Sequence, residues 1–145
     1  MRAVIQRVMQ AKVEVKGKIV GQIGNGLLVY LSIGQDDNEK DAQFIAYKLV
    51  NLRIFADEAD KMNRSVLDVG GQILLVSNFT LHGDCRKGHR PSFDAAAKRE
   101  LAQQLYEKVI ELTSQQGIAV EKGFFGEHMH VSSINDGPVT FILES

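Results

Sequence analysis

The chain is short of the residue types that mark secreted or membrane-embedded proteins. Its 145 residues include one cysteine, Cys85, so no disulfide can form within the chain and a reducing cytoplasm is the expected setting. The longest apolar runs, such as residues 27–31, fall far short of the about 20 residues of a membrane span. No long apolar segment follows Arg2 as it would in a signal peptide. These absences predict a cytoplasmic protein with no membrane partner.

An excess of charge of either sign is also lacking. The formal net charge is −1, from 17 basic and 18 acidic residues, which argues against a protein that coats nucleic acid nonspecifically. A net charge of −1 is still compatible with contact between the protein and one end of a nucleic acid. One basic cluster stands out, because Arg86, Lys87 and Arg90 lie within five consecutive residues. These three side chains are predicted to bind phosphate, and a solvated loop is the alternative.

Common catalytic and metal-binding signatures are absent. The sequence has no CxxC pair, no HExxH helix and no G-x-S-x-G elbow. His128 and His130 would share one face of a strand, which keeps a zinc-dependent hydrolase as an alternative. Two histidines at this spacing are more often part of a solvated strand face. Neither a metal nor a cofactor is therefore predicted.

The hydrophobic pattern predicts a single domain of the α/β (α+β) class over residues 1–145. Strands are expected at 3–8, 11–15, 18–23, 26–33, 72–81, 118–122, 128–134 and 139–143. Two helices are expected. One is capped by Asn38, with Asp41 three residues on in a capping-box-like arrangement, and has apolar residues at helical spacing at positions 42, 45, 49 and 52. The other covers residues 94–116. This order lacks the regular alternation of a doubly wound fold. It predicts a mostly antiparallel or mixed, β-barrel-like sheet with two flanking helices.

The strand predicted over residues 72–81 changes character halfway along. Its first half is apolar, and its second half carries Ser77, Asn78 and Thr80. Hydroxyls and amides at a strand end are well placed to line a pocket, although such side chains also satisfy local backbone groups. Thr80 would need a base within hydrogen-bond reach to act as a nucleophile, and His82 is the nearby candidate.

Gly137-Pro138 interrupts the strand pattern between residues 128 and 143. Glycine adopts backbone angles that other residues avoid, and proline removes an N–H from any sheet ladder. The pair therefore predicts a turn or a bulge. A cis Gly-Pro bond is the sharper alternative, because it would turn backbone carbonyl groups toward one side.

These motifs together resemble those of the D-aminoacyl-tRNA deacylases, and the resemblance covers the whole chain. SNFTL at 77–81 is similar to the family's SQFTL motif, GDCRKG at 83–88 and RPSF at 90–93 to the loop that follows, and NDGPVT at 135–140 to NxGPxT. Two departures stand out. Asn78 stands where the family usually has Gln, and Glu127 where it commonly has Ala.

The resemblance implies a homodimer that hydrolyses the ester joining a D-amino acid to the acceptor end of tRNA. Active sites would lie at the subunit interface. Catalysis would involve the strand end of one subunit, at Ser77, Asn78, Phe79 and Thr80. Substrate binding and rejection of L-amino acids would involve the other subunit's Asn135, Gly137 and Pro138, with Arg7 bracing the loop. Glycyl-tRNA is a further expected substrate, because glycine has no side chain to exclude.

Two mechanisms and two further function classes remain open from the sequence. The family picture uses the 2′-hydroxyl of the terminal adenosine to help activate water, with main-chain N–H groups near Phe79 and Thr80 stabilising the oxyanion. The alternative mechanism uses Thr80 as nucleophile. A non-enzymatic small barrel that binds an RNA end or a nucleotide is the competing class, and the zinc hydrolase is the third.

Overall fold

The computed structural model describes residues 1–145, which form eight strands and two α-helices. The strands are β1 (Arg2–Val15), β2 (Lys18–Ile23), β3 (Gly26–Ser32), β4 (Phe55–Ala56), β5 (Met62–Arg64), β6 (Gln72–Ser77), β7 (Ala119–Lys122) and β8 (His130–Glu144). The helices are α1 (Glu39–Asn51) and α2 (Arg99–Ser114), and a 3₁₀ turn spans Phe79–His82. No helix is long and apolar enough to cross a membrane.

Six strands form one mixed sheet that nearly closes into a barrel. The order is β2-β1-β3-β6-β7, and β8 pairs with β1. β1 runs antiparallel to β2, β3 and β8, whereas β3–β6 and β6–β7 are parallel. The two ends of this order approach each other, because a Cβ added at Gly21 would lie 2.6 Å from the Lys122 carbonyl oxygen. The predicted barrel-like mixed sheet with two helices is confirmed.

The main core lies between the sheet and the two helices. α1 buries Ala42, Ile45 and Leu49 there, and α2 buries Leu105 and Val109. A second cluster on the opposite face of the sheet includes Val8, Leu28 and Leu74. Because successive strand residues point to opposite faces, β3 and β6 supply both cores, which explains their almost continuously apolar sequences.

Three predicted boundaries change in the structure. The segments 3–8 and 11–15 belong to the single strand β1, and 128–134 and 139–143 belong largely to β8. The helix predicted from residue 94 begins at Arg99. The residues before it stay extended because Ala97 N–H donates to the Ile33 carbonyl at 2.9 Å and Ala96 pairs with Gly34. The predicted capping box of α1, made by Asn38 and Asp41, is present.

The prediction of a strand over residues 72–81 is wrong for its second half. β6 ends at Ser77, the residue that pairs with Leu31 of β3. Asn78 N–H still donates to the Leu31 carbonyl at 2.8 Å, and Leu81 N–H then donates back to the Asn78 carbonyl at 3.2 Å. That second bond closes the 3₁₀ turn, so the chain leaves the sheet where the polar residues begin.

Candidate functional site

A cavity of about 580 Å³ opens where β3 and β6 end. Ser32 lies on the β3 side, and Ser77, Asn78 and Phe79 follow β6. The start of α2 and the segment 125–129 complete the wall. The carboxyl ends of adjacent parallel strands are a common location for ligand sites in open sheets. The cavity is therefore the first candidate site in this chain.

Thr80 is not paired with a base in this structure. Its Oγ1 donates to Asn78 Oδ1 at 2.6 Å, and an amide oxygen does not accept a proton at neutral pH as a catalytic base would. His82 is directed elsewhere, with Nδ1 2.5 Å from Ser32 Oγ. The structure thus does not bring together the Thr80–His82 pair that the sequence offered.

The 3₁₀ turn, whose first residue Phe79 lines the cavity, leaves two main-chain N–H groups without a partner. The bond from Leu81 N–H to the Asn78 carbonyl is the first of the turn, so the N–H groups of Phe79 and Thr80 have no partner within it. Phe79 is 58% exposed, and its ring packs edge-on against Phe93, with 5.0 Å between ring centroids. Backbone donors beside an exposed ring form an arrangement suited to a developing negative charge.

Gly137-Pro138 lies in a bulge of β8 rather than in a turn between two strands. Asn135 pairs with Val8 and Thr140 with Gln6, so residues 136–139 face only Arg7 on β1. The Gly137-Pro138 bond is cis, and Gly137 has φ +120°, a region that side-chain-bearing L-residues rarely adopt. The bulge puts Gly137 and Pro138, both exposed, on the surface of the sheet.

Asn135 and Arg7 hold the base of this bulge. Asn135 Nδ2 donates to the Arg7 carbonyl at 2.9 Å and to the Val139 carbonyl at 3.0 Å. Arg7 Nη1 donates to the Ile54 carbonyl at 2.8 Å. Arg7 Nε lies 2.8 Å from Asp136 Oδ2, but its N–H does not point at that oxygen well enough to form a hydrogen bond. The Arg7–Asp136 contact is therefore an ion pair by distance.

The bulge and the cavity lie at different ends of β3 within one chain. Arg7 is opposite Leu27, whereas Ser77 is opposite Leu31. Four residues of strand at about 3.3 Å each separate the two positions by about 13 Å along the strand. One chain alone does not bring Gly137 and Pro138 to the residues that follow β6.

The basic cluster is a closed loop outside the cavity wall. Main-chain bonds between Asp84 and Ser92, at 2.7 and 3.0 Å, close it. Arg86 forms a two-pronged contact with Asp84, at 2.9 and 2.6 Å, which lowers the pKa of Asp84 and raises the pKa of Arg86. Lys87 and Arg90 are exposed and form no ion pair. The charge of Arg86 is thus compensated, and that of the other two is not.

Two charged residues outside the predicted set of site residues line the cavity. Arg99, the first residue of α2, is exposed and packs against Gly126, where an added Cβ would lie 3.0 Å from Nη2. In the sequence, the feature that could have pointed to Arg99 is the pair of adjacent basic residues Lys98 and Arg99 at the start of a helix. Positive charge is unfavourable there because it opposes the helix dipole. Glu127 also lines the cavity and forms an ion pair with Lys16 at 3.4 Å, so it does bring a carboxylate to the wall.

The two neighbouring histidines pack against each other. The rings of His128 and His130 meet edge to face, with centroids 5.2 Å apart. Across residues 1–145, no three His, Cys, Asp or Glu side chains are grouped so that they could hold a metal ion. Cys85, on the basic loop, is exposed and free.

Comparisons with known proteins identify the relatives of this chain. The family model described as D-Tyr-tRNA(Tyr) deacylase matches residues 4–144. A D-aminoacyl-tRNA deacylase of Thermosipho africanus is 57% identical over 145 residues, covering 100% of this chain and 97% of the relative. One from Bacillus cereus strain AH187 is 57% identical, covering 100% and 99%.

Two solved structures share the fold. One, described as a c-Myc DNA unwinding element binding protein, has a TM-score of 0.94 at 40% identity and covers 100% of this chain and 99% of its own. The other, a probable eukaryotic D-amino acid tRNA deacylase, has a TM-score of 0.83 at 19% identity, covering 98% and 97%. At that lower identity the likeness concerns the fold alone.

Proposed function

Because this chain belongs to the D-Tyr-tRNA(Tyr) deacylase family, we propose that it hydrolyses the ester between a D-amino acid and the terminal adenosine of tRNA. The family resemblance predicted from its motifs is confirmed by the same comparisons. The products are free tRNA and a D-amino acid, and the enzyme acts in the cytoplasm, where it keeps D-residues out of translation. Glycyl-tRNA is a second substrate, because glycine presents no side chain to exclude.

The observation that carries this proposal is the pair of free N–H groups of Phe79 and Thr80 beside the cavity. Water attacks the ester carbon, the carbonyl oxygen becomes an oxyanion, and the two N–H groups stabilise it. The 3′-oxygen of the adenosine then leaves and takes up a proton. The 2′-hydroxyl of the same ribose helps to activate the water. Ser77 and Asn78 shape the wall beside these donors, and no protein base is required.

We further propose that two copies of the chain share each site. One chain leaves Gly137 and Pro138 about 13 Å along the strand from Ser77, so a partner's bulge is needed to complete the cavity. Exposed apolar side chains surround the bulge, with exposed fractions of 61% for Met9, 49% for Ile134 and 75% for Ile142. Apolar surface of this kind marks protein interfaces.

In the shared site, the partner subunit's bulge binds the amino group of the substrate and occupies the space that an L-side chain would need. Selection then works by exclusion of the wrong enantiomer rather than by a tailored side-chain pocket. Asn135 and Arg7 act by holding Gly137 and Pro138 in place. D-side chains point outward, so many of them are accepted.

The basic loop binds phosphates of the tRNA acceptor end. Lys87 and Arg90 contribute most to this binding, because the guanidinium of Arg86 is already paired with Asp84. Neutralising a few phosphates gives a salt-dependent affinity. Contact with only a few phosphates is consistent with the formal net charge of −1. The protein contacts one end of the tRNA and not its whole length.

The experiment that tests the function compares D-tyrosyl-tRNA with L-tyrosyl-tRNA, each with and without a chelator. Rapid release of tyrosine from the D-ester alone, unchanged by the chelator, is the expected result. Loss of activity with the chelator would instead support a zinc hydrolase built on His128 and His130. Binding of tRNA without cleavage of either ester or of glycyl-tRNA would support a non-enzymatic RNA-end or nucleotide-binding module.

Thr80 provides a test of the mechanism. Thr80→Ala and Thr80→Val both remove the hydroxyl, and with it the bond to Asn78 Oδ1, but keep the main-chain N–H. We expect kcat/KM for the D-ester to fall by about fivefold, the cost of one hydrogen bond. A fall to the uncatalysed rate in a folded protein would show that Thr80 is the nucleophile after all. Single-turnover hydrolysis at several pH values measures the effect.

A further inference from the structure

One buried hydroxyl touches both ends of the 3₁₀ turn. Ser32 is the last residue of β3 and is 1% exposed. Its Oγ lies 3.4 Å from the carbonyl oxygen of Phe79, the first residue of the turn, and 2.5 Å from Nδ1 of His82, the last. The main chain of β3 is thus linked to the turn by side-chain contacts at its start and at its end.

A single arrangement of protons satisfies all three polar atoms. A serine hydroxyl donates one hydrogen and accepts others, and a neutral imidazole carries one N–H. If His82 Nδ1–H donates to Ser32 Oγ, then Ser32 Oγ–H donates to the Phe79 carbonyl. The opposite choice, with Ser32 donating to His82, leaves the Phe79 carbonyl without this donor.

The surroundings of His82 favour its neutral form. Burial lowers the pKa of His82, the charges of Arg2 and the amino terminus lower it further, and Asp37 and Glu144 act in the opposite direction. Gly34 faces the ring, and a Cβ there would lie 3.1 Å from Nε2. Arg2 also contacts the turn directly, because its Nη1 donates to the Leu81 carbonyl at 3.1 Å.

We propose that Ser32 and His82 are positioning residues, which hold the turn so that the N–H groups of Phe79 and Thr80 point into the cavity. This rests on the deacylase function proposed above. Stabilisation of an oxyanion depends on donors placed to within a few tenths of an ångström. Loss of the Ser32–His82 link therefore affects the chemical step more than the binding of substrate.

Three variants test the proposal through kcat and KM for D-tyrosyl-tRNA. Ser32→Ala removes the central hydroxyl. His82→Asn keeps an amide N–H close to the position of Nδ1, whereas His82→Gln moves its amide toward the position of Nε2. We expect Ser32→Ala and His82→Gln to lower kcat by about tenfold or more, with KM changed by less than about twofold. His82→Asn is expected to retain most of the activity.

Ser114→Ala is the matched control for Ser32→Ala, since Ser114 is exposed at the last position of α2 and does not line the cavity. It should leave kcat unchanged. Equal losses in the Asn and Gln variants of His82, or losses that appear in KM alone, would overturn the positioning role. Thermal unfolding of each variant separates a general loss of fold from a local effect.

A second measurement does not depend on catalysis. ¹⁵N NMR of wild-type protein should show His82 protonated at Nδ1, and Ser32→Ala should speed hydrogen exchange at the amides of Leu81 and Gly83, which donate the hydrogen bonds that close the turn. An Nε2–H tautomer would contradict the proposed chain of donors. If the wild-type protein hydrolyses neither ester while these NMR results hold, the proposed function fails and the structural link stands.

Discussion

Replacing Gly137 with alanine is expected to lower kcat/KM for D-tyrosyl-tRNA by about 100-fold or more. An added Cβ would lie 2.8 Å from Val139 Cγ2, 3.1 Å from Val139 N and 3.2 Å from Arg7 Nη2. The backbone there has φ +120°, which costs about 1–3 kcal/mol for a residue with a side chain. The bulge must shift, and in the shared site it would shift against the substrate.

Gly117→Ala is the matched control for this prediction. Gly117 also has positive φ, +86°, but a Cβ there meets no heavy atom within 4 Å. It should lower thermal stability and leave kcat/KM unchanged. An unchanged kcat/KM in Gly137→Ala would contradict the role assigned to the bulge.

Mixed dimers extend the Gly137 test to the sharing of sites. Ser77→Trp is expected to block the cavity wall of its own chain, while Gly137→Ala disables the bulge. In a mixed dimer, one site combines an intact wall with an intact bulge. Activity that reappears when the two inactive variants are mixed supports sites shared between subunits. If no activity returns although mixed dimers form, each site belongs to one chain.

Asn135→Asp is expected to have the other large effect, on both stability and activity. The side-chain amide donates two hydrogen bonds, to the carbonyls of Arg7 and Val139. A carboxylate would face both oxygens with no donor, and two lost bonds with their acceptors unpaired cost about 2–4 kcal/mol. We expect a markedly lower Tm and a fall in kcat/KM of about 100-fold.

The loss in Asn135→Asp should depend on pH. The new carboxyl lies among carbonyl oxygens, so its pKa is raised in the folded state. The destabilisation is therefore greatest above that pKa and shrinks as the pH falls, because the protonated carboxyl regains one donor. Asn51→Asp is the control, since Asn51 donates to the Tyr47 carbonyl at 2.8 Å on an exposed helix end. Equal effects of the two variants would show that the bulge does not depend on Asn135.

The predictions from sequence succeeded where the local pattern of residues is enough to determine the structure. The capping box at Asn38 and Asp41 and the apolar spacing of α1 fixed that helix, and the apolar runs identified β3 and the first half of β6. The motifs led to the correct family. The order of strands and helices was enough to indicate a mixed, barrel-like sheet.

The sequence was less informative where distant contacts override the local pattern. Alternation alone extends the strand through Thr80, but the pairing of β6 with β3 ends at Ser77 and a 3₁₀ turn follows. The pairing of Arg86 with Asp84 and the contact of Ser32 with His82 depend on side-chain directions that spacing does not define. Arg99 lines the cavity as the first residue of α2, which begins five residues after the predicted start at residue 94.

The pairing of β1 with β8 has a consequence for the order of folding. Asn135 and the Arg7 carbonyl it contacts are 128 positions apart, and Arg2 pairs with Glu144. Contacts so distant along the chain form late, since a long loop must close before they stabilise anything. On the ribosome, β1 is made early and stays without β8 until residues 130–144 emerge. The bulge that carries Gly137 therefore takes shape only after residues 130–144 have been synthesised and paired with β1.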